Sequence, residues 1–262
     1  MSRMILFAPL PVLAASSAAG QFAAGPGTGA ENLLTPDPKE VWADSGAGGV
    51  HHLRFDLGAS TQLDSLFIGF VRGGGGGLTL STWSGGPAGY TQTTWAQGLN
   101  MAPSARPAPR RRHLLHRLAA PVSARYVEIA VGARAAEPMT IGVVALGLAF
   151  QPTHNREWGG GRGVVDTGAR ERLPSGGFGT GPGAVKPTFG WTFGDLEDAE
   201  VEALHDLALD RGERRPLVVV EDPDATAGLN ERIHWGLFDR FDRYERRSAG
   251  RTRWALAIEA WL

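Results

Sequence analysis

Alternating apolar and polar residues dominate the first half of the chain. Residues 53–57 (Leu-Arg-Phe-Asp-Leu) alternate cleanly, and residues 125–131 repeat the pattern, as strands with one buried face do. Residues 63–71, 78–83 and 141–150 are further strand-like runs, separated by turn-forming residues. Since no helical periodicity interrupts them, this half is predicted to be an antiparallel sandwich or jelly roll.

The second half contains a strand, a helix and a strand in close succession. Residues 188–193 are predicted to form a strand, and residues 217–221 form another that is short and buried. Between them, residues 196–210 carry an apolar stripe at helical spacing, with Asp195 as the predicted N-cap and Gly212 just past the end. One amphipathic helix is therefore predicted to pack across a sheet.

Both ends of the chain are also interpreted as strands. The opening imitates a signal peptide, with one Arg, an apolar run and small residues, but Pro9 and Pro11 interrupt that run. Residues 4–7 are interpreted as an edge strand instead, and residues 254–262 as an alternating strand in a sheet. No apolar run approaches the roughly 20 residues of a membrane-spanning helix.

Composition narrows the function classes. The 262 residues include 26 basic and 27 acidic side chains, so charge gives no general attraction to nucleic acid or to anionic membranes. The absence of cysteine excludes disulfides and thiolate metal sites, and it fits folding in a reducing cytosol. No cofactor is predicted.

Histidines and arginines do not combine into a convincing reactive site. His51 and His52 are adjacent on a predicted strand, so they face opposite sides and cannot ligate one metal together. His113 and His116 have a spacing that suits a helix better than a strand, and no carboxylates accompany them. The Arg-rich residues 106–117 are interpreted as a solvated loop or as a contact with an acidic subunit. No nucleophile elbow or unexplained carboxylate pair is found, so no catalytic residue and no metal site are predicted.

Aromatic residues are the remaining candidates for binding. Trp83, Tyr90 and Trp95 flank a loop rich in Gly and Thr and are predicted to stack on the face of a sugar. The alternative is that Trp83 and Trp95 belong to the sandwich core.

A series of motifs in the first half follows a known order and spacing. They are residues 31–34 (ENLL), 41–44 (VWAD), 53–58 (LRFDLG), 66–69 (LFIG), 122–129 (VSARYVEI) and 141–144 (IGVV). Through these motifs, residues 28–150 resemble the discoidin-like, galactose-binding jelly-roll family. The resemblance implies binding of glycans or lipid head groups through loops at one end of the barrel, and it implies a core position for Trp42.

Motifs in the second half resemble a different group of proteins. They are residues 189–193 (FGWTF), 196–200 (LEDAE), 215–218 (RPLV), 221–223 (EDP) and the terminal strand 254–262. In these motifs, residues 156–262 resemble tail-tip proteins of tailed bacteriophages and gene transfer agents, including distal tail proteins. The opening residues 3–7 resemble the start of such proteins as well.

Together these observations predict a mainly β protein in two domains. Residues 1–150 would form a jelly-roll β-sandwich, residues 151–185 a linker or extended arm, and residues 186–262 a β-sandwich with one packed helix. The resemblances imply a structural component of a virion tail tip or baseplate, made in the bacterial cytoplasm. Its partners would be copies of itself, tail-tube, hub and tape-measure-associated proteins, and host surface glycan, with no nucleic acid and no membrane insertion. The alternative function is a free carbohydrate-binding module of a secreted or cell-surface protein, and a third is a glycosidase accessory protein.

Overall fold

The fold is mainly β with one principal helix, as predicted. The structure is a computed structural model, and it describes residues 3–19, 27–44, 49–73, 78–84, 91–107, 111–133 and 139–261. The strands in these ranges are β1 (Ile5–Phe7), β2 (Ala14–Ala19), β3 (Gly27–Thr28), β4 (Trp42–Asp44), β5 (Gly49–Val71), β6 (Leu78–Ser84), β7 (Thr91–Leu99), β8 (Arg112–Ala133), β9 (Thr140–Ile141), β10 (Val143–Gly147), β11 (Gly161–Asp166), β12 (Arg170–Arg172), β13 (Phe178–Thr180), β14 (Val185–Leu196), β15 (Leu217–Val220), β16 (Ile233–Phe241), β17 (Glu245–Ser248) and β18 (Arg251–Ala260). The helix is α1 (Asp198–Arg211), and the 3-10 helices are Ala30–Leu34 and Asn230–Arg232.

The chain divides into two compact units. The first unit consists of Met1–Gln151 and Leu217–His234, and the second of Pro152–Pro216 and Trp235–Leu262. The sequence pattern instead predicts one domain over residues 186–262. The segment 217–234 belongs to the first unit because β15 pairs with β1 in an antiparallel ladder, Ile5 opposite Val220.

Two antiparallel sheets form most of the first unit. One has the order β10-β5-β8-β6-β7, with β2 also paired to β5, and the other has the order β3-β4-β9. Side chains alternate along β5, so that Leu53, Phe55 and Leu57 are buried in the core. Trp42 is completely buried, as the family resemblance implied.

The long strands of the first unit were predicted as shorter pieces. The predicted strands 53–57 and 63–71 are one strand, β5, whose ladder with β8 has register shifts. Such bulges bend a strand without ending its pairing, which the sequence pattern does not reveal. β8 begins at Arg112, so residues 112–117 are strand residues and the prediction of a loop over them was wrong.

The residues that follow β15 are hydrogen-bonded to the rest of the first unit through Asn230. Asn230 is buried, its Oδ1 accepts a hydrogen bond from the His113 backbone N–H (2.9 Å), and its Nδ2 donates to the Arg111 carbonyl (2.9 Å). Its own N–H donates to the Pro103 carbonyl (3.0 Å). One amide residue therefore satisfies backbone groups from two other stretches of chain.

The second unit contains the strand order β16-β18-β14-β11, with β17 paired to β18. Helix α1 buries Val201, Leu204 and Ala208, which belong to the predicted stripe. The N-cap is Glu197 rather than the predicted Asp195, because Glu197 and Glu200 form a reciprocal capping box. The Glu200 carboxylate also accepts a hydrogen bond from the Thr153 backbone N–H.

A two-stranded hairpin extends from the sheet of the second unit, and we call residues 161–187 the arm. β11 pairs with β14, with Gly161 opposite Gly190, and β12 pairs with β13 farther along. A turn at Leu173–Gly177 closes the hairpin, where the Leu173 N–H donates to the Gly177 carbonyl (2.9 Å). No residue of the arm is buried. The predicted extended arm thus consists of paired strands.

Candidate functional site

The non-core face of the first unit's large sheet carries a connected set of polar side chains. His52, Arg54 and Asp56 alternate with the buried core residues of β5. Across the ladder, Arg54 is opposite Glu128 and Asp56 is opposite Tyr126 on β8. We call these five residues, together with Arg125, the polar face. The side-chain period of two places the five facing residues on one surface, although the residues that contact each other across the ladder lie 70 or more positions apart in the chain.

Glu128 lies deepest in the polar face and is held by two basic side chains. Its side chain is 3% exposed, whereas those of His52 and Arg54 are 14% and 20% exposed. His52 Nδ1 lies 2.8 Å from Glu128 Oε1, and Arg54 Nε donates to Oε2 at 2.9 Å. A buried carboxylate is tolerated when charged donors surround it, and these contacts fix its orientation.

A second ion pair lies beside Tyr126. Arg125 donates through Nε (2.8 Å) and Nη2 (3.1 Å) to the two carboxylate oxygens of Asp56, and its guanidinium lies 4.9 Å from the centre of the Tyr126 ring. The hydrogen bond from Arg125 lowers the pKa of Asp56, although burial opposes this effect. The Tyr126 ring itself is half-buried, so part of it is open to solvent.

The three aromatic residues predicted to bind sugar have different positions. Trp83 lies on β6 directly opposite Tyr126, so its backbone continues the polar face; its side chain and all of Tyr90 lie outside the described residues. Trp95 on β7 lies at an irregularity of the ladder with β6, is half-buried, and packs against the hydrophobic core of the first unit. Trp95 thus lies at the border of the core, while its binding of sugar stays a prediction.

The sequence analysis did not identify the polar face. The alternation of His52, Arg54 and Asp56 with apolar residues is visible in the sequence, and so are Tyr126 and Glu128 on the same periodicity. What the sequence does not show is that β5 and β8 are adjacent in this register, because that pairing is non-local.

The histidines do not form a metal centre in the described residues. His51 faces the core, where its Nε2 lies 2.6 Å from Asp44 Oδ1, while His52 belongs to the opposite face. His113 is buried and His116 half-buried, both on β8, and burial lowers the pKa of His113 to about 3. Across the parts of the chain that the structure describes, no group of three or more metal-ligating side chains occurs. No helix among those residues is long and apolar enough to cross a membrane.

The second unit contains a concavity of a different character. A cavity of about 640 Å³ lies between α1 and the strands β16 and β18. His205, Tyr244 and Trp254 contact one another along it, and Trp254 Nε1 donates to the Asp242 carbonyl (2.8 Å). Its lining is chiefly apolar, in contrast to the polar face of the first unit.

Comparisons with known proteins give similarities to solved structures only. No known protein family matches the sequence, and no curated protein matches it. A chitosan-binding module from a Paenibacillus chitosanase/glucanase is similar over 53% of this chain and 97% of its own, with 12% identity and a TM-score of 0.41. The CBM32 module of AlyQ, in complex with 4,5-unsaturated mannuronic acid, is similar over 53% and 96%, with 18% identity and a TM-score of 0.34.

A longer protein is similar over the same share of this chain. The Ruminococcus gnavus GH29 fucosidase, in complex with fucose, matches 51% of this chain with 19% identity and a TM-score of 0.38. This chain covers only 25% of the fucosidase. With identities below one fifth and TM-scores below 0.5, these similarities assign neither a fold family nor a function.

Proposed function

We propose that the first unit is a carbohydrate-binding module that binds a glycan on the polar face and performs no reaction on it. The observation that supports this proposal is the half-buried Tyr126 ring, which lies beside the Arg125–Asp56 ion pair and two strand positions from the Arg54–Glu128 pair. Sugars have apolar C–H faces and vicinal hydroxyl groups, so an aromatic ring beside charged, forked hydrogen-bonding groups suits both features.

Preorganisation is the main physical support. The His52 and Arg54 contacts hold Glu128, and the Asp56 fork holds Arg125, before any ligand arrives. A ligand hydroxyl would meet groups whose orientation is already set, which lowers the entropic cost of ordering side chains on binding. The backbone register also places Trp83 next to Tyr126. We propose that Trp83 and Tyr90 extend this surface and that Trp95 supports it from the core side.

Binding assays on the full chain test this proposal. The chain is screened against a broad panel of neutral, acidic and amino-sugar glycans, and hits are measured by titration calorimetry. Tyr126→Ala is expected to weaken binding by about tenfold or more, equivalent to ~1.4 kcal/mol. Arg125→Gln removes the forked pair with Asp56 and is expected to weaken binding as well.

Leu148→Ala provides the matched control, since Leu148 is also in the first unit, 46% exposed, and outside the polar face. This variant is expected to bind like the unsubstituted chain. Thermal unfolding of each variant shows whether a loss of binding reflects a loss of fold. The proposal is wrong if no glycan in the panel binds, or if folded Tyr126→Ala and Arg125→Gln bind with unchanged affinity.

A second candidate function is a structural role in a virion tail tip, as the sequence resemblance implies. One observation favours an assembly role: the arm leaves Leu173, Phe178 and Val185 between 44% and 60% exposed. Exposed apolar side chains of this size are common at protein interfaces. Tail-tube and hub proteins as partners, and the virion as location, stay part of this proposal. Electron microscopy of the purified chain with candidate tail proteins tests it: rings or tail-like particles are expected, and dispersed single molecules would contradict it.

A further inference from the structure

The arm lacks the features that normally stabilise a β-hairpin. It is two strands wide along its length, first β11 with β14 and then β12 with β13, and none of its residues is buried. A two-stranded hairpin with no covering layer is at best marginally stable in water. Val164 and Val185 lie on neighbouring strands and are 69% and 60% exposed. These apolar side chains are therefore open to contact with another chain.

One edge of the arm can accept a further strand. In the described residues β11 pairs with β14 and is the last strand of its sheet. The Thr167 N–H donates to the Ala184 carbonyl (3.0 Å) in the register that pairs Asp166 with Val185. Since backbone groups in an antiparallel ladder alternate between the two edges, Val164 and Asp166 direct theirs away from β14.

We propose that β11 pairs with β11 of a second copy of this chain, antiparallel and centred on Val164. This register places Val164 opposite Val164, and Arg162 opposite Asp166 on both sides of the two-fold axis. In this register the hydrogen-bonded pairs consist of even-numbered residues, which are the ones whose backbone groups point to the open edge. Two opposite charges therefore face each other twice, and the exposed valines meet at the centre.

The charges favour this partner over an unrelated strand. β11 contains one basic and one acidic side chain, placed symmetrically about Val164. A segment with this arrangement is complementary to itself when it is antiparallel, and any other antiparallel register loses both pairs. Asp166 Oδ1 also accepts a hydrogen bond from the Gly168 N–H (2.8 Å), which holds the carboxylate at the start of the turn. The inference concerns the second unit alone and does not depend on glycan binding by the first.

Cysteine cross-linking tests the register, because the chain has no cysteine of its own. In Val164→Cys the Cα atoms of the two introduced cysteines would lie about 5.5 Å apart, within the range for a disulfide. Val165→Cys is the matched control, since in this register its two copies are offset by two strand positions, roughly 8 Å apart. Rapid formation of a covalent dimer by Val164→Cys alone is expected. Equal or absent cross-linking in the two variants would overturn the proposal.

Charge reversal tests the proposed Arg162–Asp166 ion pairs between the two copies in the absence of a cross-link. Sedimentation equilibrium of the full chain is expected to show a monomer–dimer equilibrium that Arg162→Asp and Asp166→Arg each weaken at least tenfold. The double variant restores opposite charges and is expected to regain most of the affinity, although it lacks the Asp166 bond to Gly168. A monomer at every concentration, or a double variant no better than the single ones, would refute the proposed pairing.

Discussion

β5 in the first unit and β14 in the second have the same alternation of side chains but differ in burial. Along β5 the residues on the core side, such as Leu53 and Phe55, are buried at 0% and 2% exposure. Along β14 the same face goes from Phe193, 1% exposed, to Val185, 60% exposed. The change occurs where β14 leaves its ladder with β18, which begins at Thr188, and pairs with β11 alone.

The difference shows that alternation defines a face but does not bury it. Burial requires a second layer, and β5 has one on both sides of the exposed Ala59 and Ser60, since the first unit's core cluster includes residues from Leu53 to Leu57 and from Leu63 to Val71. The polar face benefits from the same continuity, because long paired strands hold Glu128 and its partners in register. The arm has only its own ladder, and its apolar residues remain available to another chain.

The largest expected effect tests this contrast within β14 itself. Phe193→Ala is expected to cost about 3–5 kcal/mol of unfolding free energy, because it leaves a cavity in a packed core. Val185→Ala, on the same face of the same strand, is expected to change it by no more than about 0.5 kcal/mol in dilute protein. Urea unfolding followed by tryptophan fluorescence measures both. A similar cost for the two substitutions would show that the arm is packed and would remove the contrast.

A smaller effect is expected from the buried His113 of the first unit. Burial, assisted by the charge of Arg111, lowers its pKa from 6.5 to about 3. Above pH 6.5 the imidazole is neutral in both states; below it, the unfolded chain binds a proton that the folded chain does not. The free energy of unfolding therefore decreases as the pH falls. This group alone accounts for a decrease on the order of 3 kcal/mol between pH 7.5 and pH 4.

The Phe70 N–H donates a hydrogen bond to His113 Nδ1 at 3.4 Å. His113→Asn removes the titration and keeps an acceptor for this N–H. Urea unfolding at stepped pH is expected to show a shallower loss of stability in the variant. Hydrogen exchange of β5 and β8 localises the effect to the first unit. If the two proteins lose stability equally over this pH range, the buried imidazole does not govern the acid response.

Much of the fold follows from local patterns, and its main departures have non-local causes. Strand β18 and helix α1 lie within a few residues of their predicted positions, because periodicity and capping are local properties. The return of residues 217–234 to the first unit rests on the pairing of β15 with β1 and on Asn230, and the partners of both lie more than 100 residues away. In the sequence, Asn230 is an ordinary turn residue.

The candidate site was less predictable than the fold. Trp83, Tyr90 and Trp95 were chosen because they are aromatic and near a Gly-rich loop, which is a local feature. Tyr126 and Glu128 acquire their roles only through the register with β5, and Glu128 is stabilised by residues 74 and 76 positions away. Charges on a strand usually indicate a solvated face, so nothing local marks Glu128 as buried.

The smallest expected effect on global stability concerns Gly183, whose backbone lies close to that of Gly168 in the arm. A Cβ at this position would lie 2.1 Å from the Gly168 backbone nitrogen and 2.2 Å from its Cα, so Gly183→Ala must push apart the two segments that connect the ladders of the arm. Because no arm residue is buried, this opening is expected to change the free energy of unfolding by less than about 0.5 kcal/mol. Hydrogen exchange is expected to accelerate in the arm while the amides of β14 beyond Thr188 stay protected, because those pair with β18.

Gly176→Ala, at a tip position with open space around it but a positive φ of 83°, is the control for strain without a clash. Loss of protection throughout the second unit in Gly183→Ala would mean that the arm and the core unfold as one cooperative element. The distinction between the buried part of β14 and the exposed arm would then be wrong.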